Sequence, residues 1–206
     1  MSLTPPMTFL REFLQRPAEL GTFWPSSRFL ESRIVRLGGV LDDAVVVELG
    51  PGLGGTTTAI LRQLPPTARL VAIELNRDFI APLEAIGDPR LTVHHGGAEE
   101  LPQILERHGL ETADVVFSGI PFSTIPAAVG RSILQGIWQT LSPGGRFVAY
   151  QLRSQVKRLA RDFMGKPDVE FELLNIPPLW VYRWLKGQAT EAASIPDADP
   201  PQLAAV

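Results

Sequence analysis

The run Val45–Thr58, VVVELGPGLGGTTT, constrains the fold more than any other stretch of the chain. Its first five residues are almost wholly apolar and stop at a glycine, the pattern of a strand buried on both faces. Gly50, Gly52, Gly54 and Gly55 follow, and helical spacing then runs from Gly54 to Leu64. Without Cβ atoms such a turn bends sharply and lets backbone approach a ligand. A second apolar run, LVAIE, ends on Glu74. A carboxylate at the end of the next strand can hold a ribose diol. The combination points to a nucleoside-containing cofactor on an open parallel sheet.

The rest of the chain fits that architecture. Strand-like runs at Ala44–Leu49, Arg69–Glu74, Leu91–His95, Ala113–Ser118, Gly145–Gln151, Val169–Leu174 and Leu179–Lys186 alternate with helical patterns. The helices are expected at Gly54–Leu64, Arg77–Ile86, Glu99–His108, Ile125–Leu141 and Arg153–Met164, with Ser142-Pro143-Gly144-Gly145 a turn that stops the fourth. This reads as α/β with a mostly parallel seven-stranded sheet and helices on both faces. Asn175-Ile176-Pro177-Pro178 joins the last two strands without a helix, so the sheet is expected to close on a hairpin with one antiparallel strand.

Residues 1–38 form an N-terminal lid or docking segment in this reading. Met7, Leu10, Phe13 and Leu14 share one helical face beside Arg11 and Arg16, Pro17 ends that piece, and a second helix runs over Ser27–Leu37 with Ser26 as its cap. Residues 39–187 form the catalytic domain, and 188–206, rich in Ala, Pro and Asp, read as a disordered tail. The length of 206 residues suits one domain.

Several function classes fall away. The chain has no cysteine, which rules out disulfides, thiolate nucleophiles and cysteine–zinc sites and fits a cytoplasmic protein. The His, Asp and Glu residues show no metal-ligand spacing. The net charge of −3 gives no global field for nucleic acid. The N-terminus lacks the apolar core of a secretory signal, and no uninterrupted apolar run is long enough to span a bilayer.

GPGLGG departs from the dinucleotide pattern GxGxxG. With Glu48 two residues before Gly50, it resembles motif I of class I S-adenosylmethionine-dependent methyltransferases, whose sheet also ends in an antiparallel hairpin. The resemblance implies S-adenosyl-L-methionine as cofactor. It places Glu48 near the methionine ammonium, Gly50 and Gly52 against the ligand, and Glu74 with Leu75 at the ribose. Glu74 has a plainer reading as a capping carboxylate before the next helix. After strand three the family carries Gly-Asp-Ala, the Asp facing adenine; here Gly96-Gly97-Ala98-Glu99 puts Gly97 in its place. A backbone contact at Ala98 carries over, and Glu99 either replaces the lost carboxylate or simply starts a helix.

Strand four runs into Ser118-Gly119-Ile120-Pro121-Phe122. Ribosomal-RNA adenine dimethyltransferases carry Asn-Leu/Ile-Pro-Tyr/Phe at this edge, with an amide acceptor and a ring that stacks on the base. Here Ser118-Gly119 stands where the Asn would fall. SGIPFSTIP, the segment FLREFLQRPAELGTFWPSSRFL with its Pro25-Ser26-Ser27-Arg28, and the hairpin Asn175–Arg183 resemble soluble bacterial phospholipid N-methyltransferases, which act on phosphatidylethanolamine. That likeness adds Ser26 and Ser27 to the cofactor set. It leaves Phe122 as pocket wall or plain core, and Ser118, Tyr150 and Tyr182 as candidate acceptors for the amine proton. His94, His95 and His108 read as structural.

A lipid substrate implies contact with a membrane surface. The Met7–Leu14 helix and a basic zone over Arg146–Lys186, holding Arg146, Arg153, Lys157, Arg158, Arg161, Lys166, Arg183 and Lys186, are the expected contacts. No nucleic-acid partner is expected, and the protein reads as cytoplasmic and peripherally membrane-associated. An RNA adenine methyltransferase, a small-molecule methyltransferase and a non-catalytic nucleoside-binding module are the competing readings.

Overall fold

The computed structural model describes residues 27–39, 42, 44–175 and 177–187. The expected Met7–Leu14 helix, Ser26 and the tail at 188–206 lie outside them. Seven strands form one sheet in the order β3-β2-β1-β4-β5-β7-β6. They are β1 (Val45–Leu49), β2 (Arg69–Glu74), β3 (Leu91–His95), β4 (Ala113–Ser118), β5 (Leu141–Gln151), β6 (Asp168–Glu172) and β7 (Leu179–Leu185). β7 runs antiparallel to both β5 and β6, while the pairings among β1 to β5 are parallel. This is the closing hairpin expected from the Asn175–Pro178 link.

The helices are α1 (Arg28–Gly38), α2 (Gly55–Gln63), α3 (Ile80–Glu84), α4 (Leu101–Arg107), α5 (Ala127–Thr140) and α6 (Gln155–Met164). Alternate residues of the central strands feed two cores. Val46, Val115, Phe117 and Val148 pack with α1 and α2, whereas Val47, Val116, Phe147 and Ala149 pack with α4, α5 and α6. Both sheet faces are thus covered, which is why the parallel strands read as continuous apolar runs rather than alternating ones.

Where the elements differ from the sequence expectation, local chemistry explains it. α1 is capped by Ser27, not Ser26: the Ser27 hydroxyl accepts from the Leu30 N–H at 3.2 Å. α5 starts at Ala127 instead of Ile125 because Pro126 holds an extended backbone (ψ 137°) and disfavours helix in the residue before it. The stretch 77–86 splits into a 3₁₀ turn (Arg77–Phe79) and the short α3, because the Asn76 side chain accepts from the Asp78 N–H (3.0 Å) and tightens the start. Ser142–Gly145 does not leave the sheet. It bulges inside β5, where Gly144 N–H donates to the Lys186 carbonyl and Lys186 N–H to the Gly145 carbonyl, each at 2.9 Å.

Two distant contacts fix α1 against the hairpin. Ser27 N–H donates to Asn175 Oδ1 at 2.9 Å. Arg33 bonds both Glu170 and Glu172, the latter at 2.7 Å. The basic zone is mostly spoken for at its ends. Arg146 caps α1 through the Gly38 and Gly39 carbonyls, Arg183 pairs with Asp168, and Lys186 Nζ bonds the carbonyls of Trp138, Gln139 and Leu141 at the α5 end. Arg153, Lys157, Arg158, Arg161 and Lys166 stay exposed.

Candidate functional site

β1, β4 and β5 reach the same edge of the sheet, with Leu49 beside Ser118 and Ser118 beside Ala149. Ligands of open parallel sheets bind outside this carboxyl edge. Here the chain turns back on itself through two glycines. Gly50 (φ 72°) donates its N–H to the Ile73 carbonyl at 3.0 Å, and Gly52 (φ 58°) donates to Glu74 Oε2, also at 3.0 Å. The two features singled out in the sequence, the glycine bend and Glu74, therefore touch directly. The second Glu74 oxygen accepts from the Asn76 N–H (2.8 Å). Burial pushes this carboxyl above its ordinary pKa, while the N–H bonds from Asn76, Gly52 and Leu75 pull the other way. These fixed backbone donors hold the carboxylate in one orientation and still leave it acceptor capacity for a ligand.

Glu48 lies under the bend, fully buried. Thr57, in the first turn of α2, donates its hydroxyl to Glu48 Oε2 at 2.6 Å. Oε1 is buried with no hydrogen-bond partner among the described residues. Burial pushes the Glu48 pKa up to about 8, helped by the nearby Glu74 and opposed by Thr57. A buried acid with one unsatisfied oxygen is expensive unless a cation or donor completes it. Glu99 is similar. Its Oε2 is also buried without a partner among the described residues, and burial raises its pKa. Its carboxylate folds back over Gly97, 2.5 to 2.6 Å from where a Cβ on that residue would stand. Glu99 thus fills the room that a side chain at position 97 would take, although it also belongs to the 3₁₀ turn Ala98–Glu100 ahead of α4. Ala98 and Leu75 sit half-buried against the core beside it.

At the β4 end the expected acceptors separate. Ser118 is buried, and its hydroxyl accepts from the Ile120 N–H (3.3 Å), turned back on its own loop. Phe122 is fully buried among core residues and has no open face for a base. Tyr182 is core as well, with its ring 6.0 Å from that of Trp184. Tyr150 is different. Its hydroxyl lies 2.6 Å from the Cβ position of Gly119, accepts from Thr56, and is raised in pKa by burial and by Glu48. So Gly119 is glycine because Tyr150 occupies the space beside it.

Sequence reasoning missed four supports of this site. Thr56 and Thr57 hold Tyr150 and Glu48; their signal is the Thr triplet right after the glycines. Gln151 clamps the loop after β4, donating to the Ile120 carbonyl (2.7 Å) and accepting from the Phe122 N–H (3.2 Å). Asn76 fixes Glu74 through its backbone and carries no sequence signal of that. His94 and His108 meet at 3.2 Å, and His95 bonds the Leu75 carbonyl, consistent with structural roles.

Comparison with known proteins agrees with this geometry. A family model described as a methyltransferase domain matches residues 46–145. An ornithine lipid N-methyltransferase of Singulisphaera acidiphila is 32% identical over 84% of this chain and 92% of its own length. A ribosomal RNA small subunit methyltransferase A of Parasynechococcus marenigrum is 33% identical over 58% of this chain, but only 39% of its own length is covered. Among solved structures, an RNA methyltransferase from Salinibacter ruber in complex with S-adenosyl-L-homocysteine superposes with a TM-score of 0.55 at 22% identity, covering 82% of this chain and 97% of that one. The chain belongs to the class I S-adenosylmethionine-dependent methyltransferases, with S-adenosyl-L-methionine as its cofactor.

Proposed function

We propose that this methyltransferase acts on the amine headgroup of a membrane lipid such as phosphatidylethanolamine. The observation that carries the reading over an RNA base is the β4 end. Phe122 is sealed in the core, and Tyr150 fills the space beside Gly119. A flipped base needs an exposed ring and a planar acceptor at that edge. The match across nearly the full length of a lipid N-methyltransferase supports the same choice.

The residues present fit the cofactor. The unsatisfied Glu48 Oε1 suits its ammonium, the oriented Glu74 carboxylate suits its ribose diol, and the backbone of Gly50 and Gly52 lets it lie close. Leu75 would sit beside Glu74 at the ribose, and Ala98 and Glu99 would line the adenine side. When bound, the cofactor supplies an electrophilic methyl group, so the protein needs only to bring a neutral amine into line with it. Tyr150 keeps its proton, because burial raises its pKa above the ordinary value. It therefore orients the amine as a hydrogen-bonding group and does not act as a base. Closure of the edge by the Gln151-clamped loop limits water, which favours the uncharged amine.

The test uses purified protein, labelled S-adenosylmethionine, and separately phosphatidylethanolamine vesicles, ornithine-lipid vesicles and ribosomal RNA. Methylated lipid in either vesicle is the expected product. Label in RNA with none in lipid would overturn the proposal.

A further inference from the structure

The hairpin β6–β7 carries a surface that the methyl-transfer site does not use. Leu173 and Leu174 at its tip are 69% and 60% exposed, and the tilted rings of Phe171 and Trp180 meet across the two strands with centroids 4.4 Å apart, about two-fifths of each residue in contact with water. The register places this tip at the carboxyl edge of the sheet: Gln151 pairs with Trp180, and Leu179 with Glu172. Leu152, 53% exposed, leaves β5 at the same edge. The apolar tip and the mouth of the site therefore face the same way.

Such a patch on a strand at the sheet margin calls for a covering partner. The charges around it select one. Arg153 follows Leu152, and Lys157, Arg158 and Arg161 line the exposed side of α6. The only acid within α6, Asp162, is already paired with Arg131. Cations beside protruding Leu, Phe and Trp suit a lipid surface with anionic headgroups. A second copy of the chain would bring the same cations towards one another across a two-fold axis.

We propose that the Leu173–Leu174 tip, with Trp180 and Leu152, inserts into the bilayer interface and presents the carboxyl edge of the sheet to lipid headgroups. This deepens the lipid reading above by naming the contact, which is distinct from the helix expected at Met7–Leu14. The inserted side chains carry no catalytic group, so docking and chemistry are separable.

The experiment compares wild-type protein with Leu173→Asp/Leu174→Asp in co-sedimentation with vesicles of phosphatidylethanolamine and phosphatidylglycerol. The double variant should lose roughly tenfold or more in partitioning, since two Leu side chains no longer leave water. The tryptophan emission of wild-type protein should shift to the blue on vesicles, and Trp180→Phe should remove most of that shift. Affinity for S-adenosylmethionine by calorimetry should stay the same in both variants. Unchanged partitioning would overturn the proposal. So would a double variant whose melting temperature or oligomeric state changes while vesicle binding persists, because the patch would then pack against the protein's own chain or a second copy. Methylation of a short-chain, monomeric phosphatidylethanolamine separates the two readings. Wild type and variant should turn it over equally, and failure of both there would sink the substrate assignment while leaving the partitioning result to judge the surface.

Discussion

Replacing Glu48 by Gln probes the proposed cofactor site while nearly preserving its shape. Oε2 of Glu48 takes the Thr57 hydroxyl, and Oε1 has no hydrogen-bond partner among the described residues. Burial raises the pKa from 4.5 to about 8. A shift of that size corresponds to about 5 kcal/mol against the charged form. At pH 6.5, therefore, most of the ligand-free protein carries a neutral Glu48. A cation at Oε1 reverses the balance, since attraction in a low-dielectric site favours the carboxylate. The cofactor's α-amino group, with an ordinary pKa of roughly 8, is charged at that pH. Binding should then release about one proton per site. Calorimetry in buffers of different ionisation enthalpy reads the number directly from the slope of the observed heat. Glu48→Gln should bind roughly tenfold or more weakly and release none. Methylthioadenosine, which lacks the ammonium, should release none from the wild type. Identical wild-type heats in every buffer would refute the pairing of Glu48 with the cofactor cation.

The same shift bears on folding, with a definite sign. The native state keeps the Glu48 proton up to about pH 8, whereas the unfolded chain releases it near 4.5. Between those values the unfolded state binds fewer protons. The contribution of the neutral carboxyl is therefore complete below pH 4.5 and is lost as pH rises towards 8. Urea melts of wild type relative to Glu48→Gln should show this decline; a difference that stays flat would contradict burial as its cause.

Gly119→Ala should destabilise the fold by about 1–3 kcal/mol through overpacking, because its Cβ would stand 2.6 Å from the Tyr150 hydroxyl. Tyr150→Phe should recover part of that loss, and denaturant midpoints of the two single variants and the double variant read the coupling. Arg33→Met should cost about 1–3 kcal/mol, since it strands the buried Glu172 carboxylate, whose side chain is 4% exposed. Thermal melts check it, and a loss no larger than that of an isolated surface pair would show that α1 is held by apolar packing alone.

The parts of this protein that were legible in sequence are those with local causes. Arg69–Glu74, Leu91–His95 and Ala113–Ser118 match β2, β3 and β4 residue for residue. β2 and β4 are buried and read as nearly continuous apolar runs, whereas β3, half-exposed at the sheet edge, shows the Leu91–Val93 alternation of an edge strand. Glycines with positive φ announced the bend after β1. Helix ends were less legible, since they depend on which side chain happens to cap them: Ser27 rather than Ser26, and Pro126 as a stop. What the sequence could not reveal was pairing at long range. Ser27 with Asn175 and Arg33 with Glu172 are more than a hundred residues apart. The filling of Gly119 by Tyr150 belongs to the same class. So does the choice among Ser118, Phe122, Tyr150 and Tyr182, which share a neighbourhood but differ in what each faces.

Glu48 and Glu74 give this division a physical meaning. Both are buried, both are raised in pKa by that burial, and among the described residues neither makes an ion pair; their hydrogen bonds come from a threonine hydroxyl and from backbone N–H groups. A protein selected for stability alone would place apolar side chains at those strand ends. Local rules of strand and turn predict the backbone there well and the acids badly. Such a mismatch is expected where a site is shaped for a ligand and not for the stability of the free chain. The carboxyls cost stability in the free protein, and a bound cation and diol would recover it. On the proposed placement of the cofactor, its binding and a pH dependence of folding would have one common origin in these two side chains.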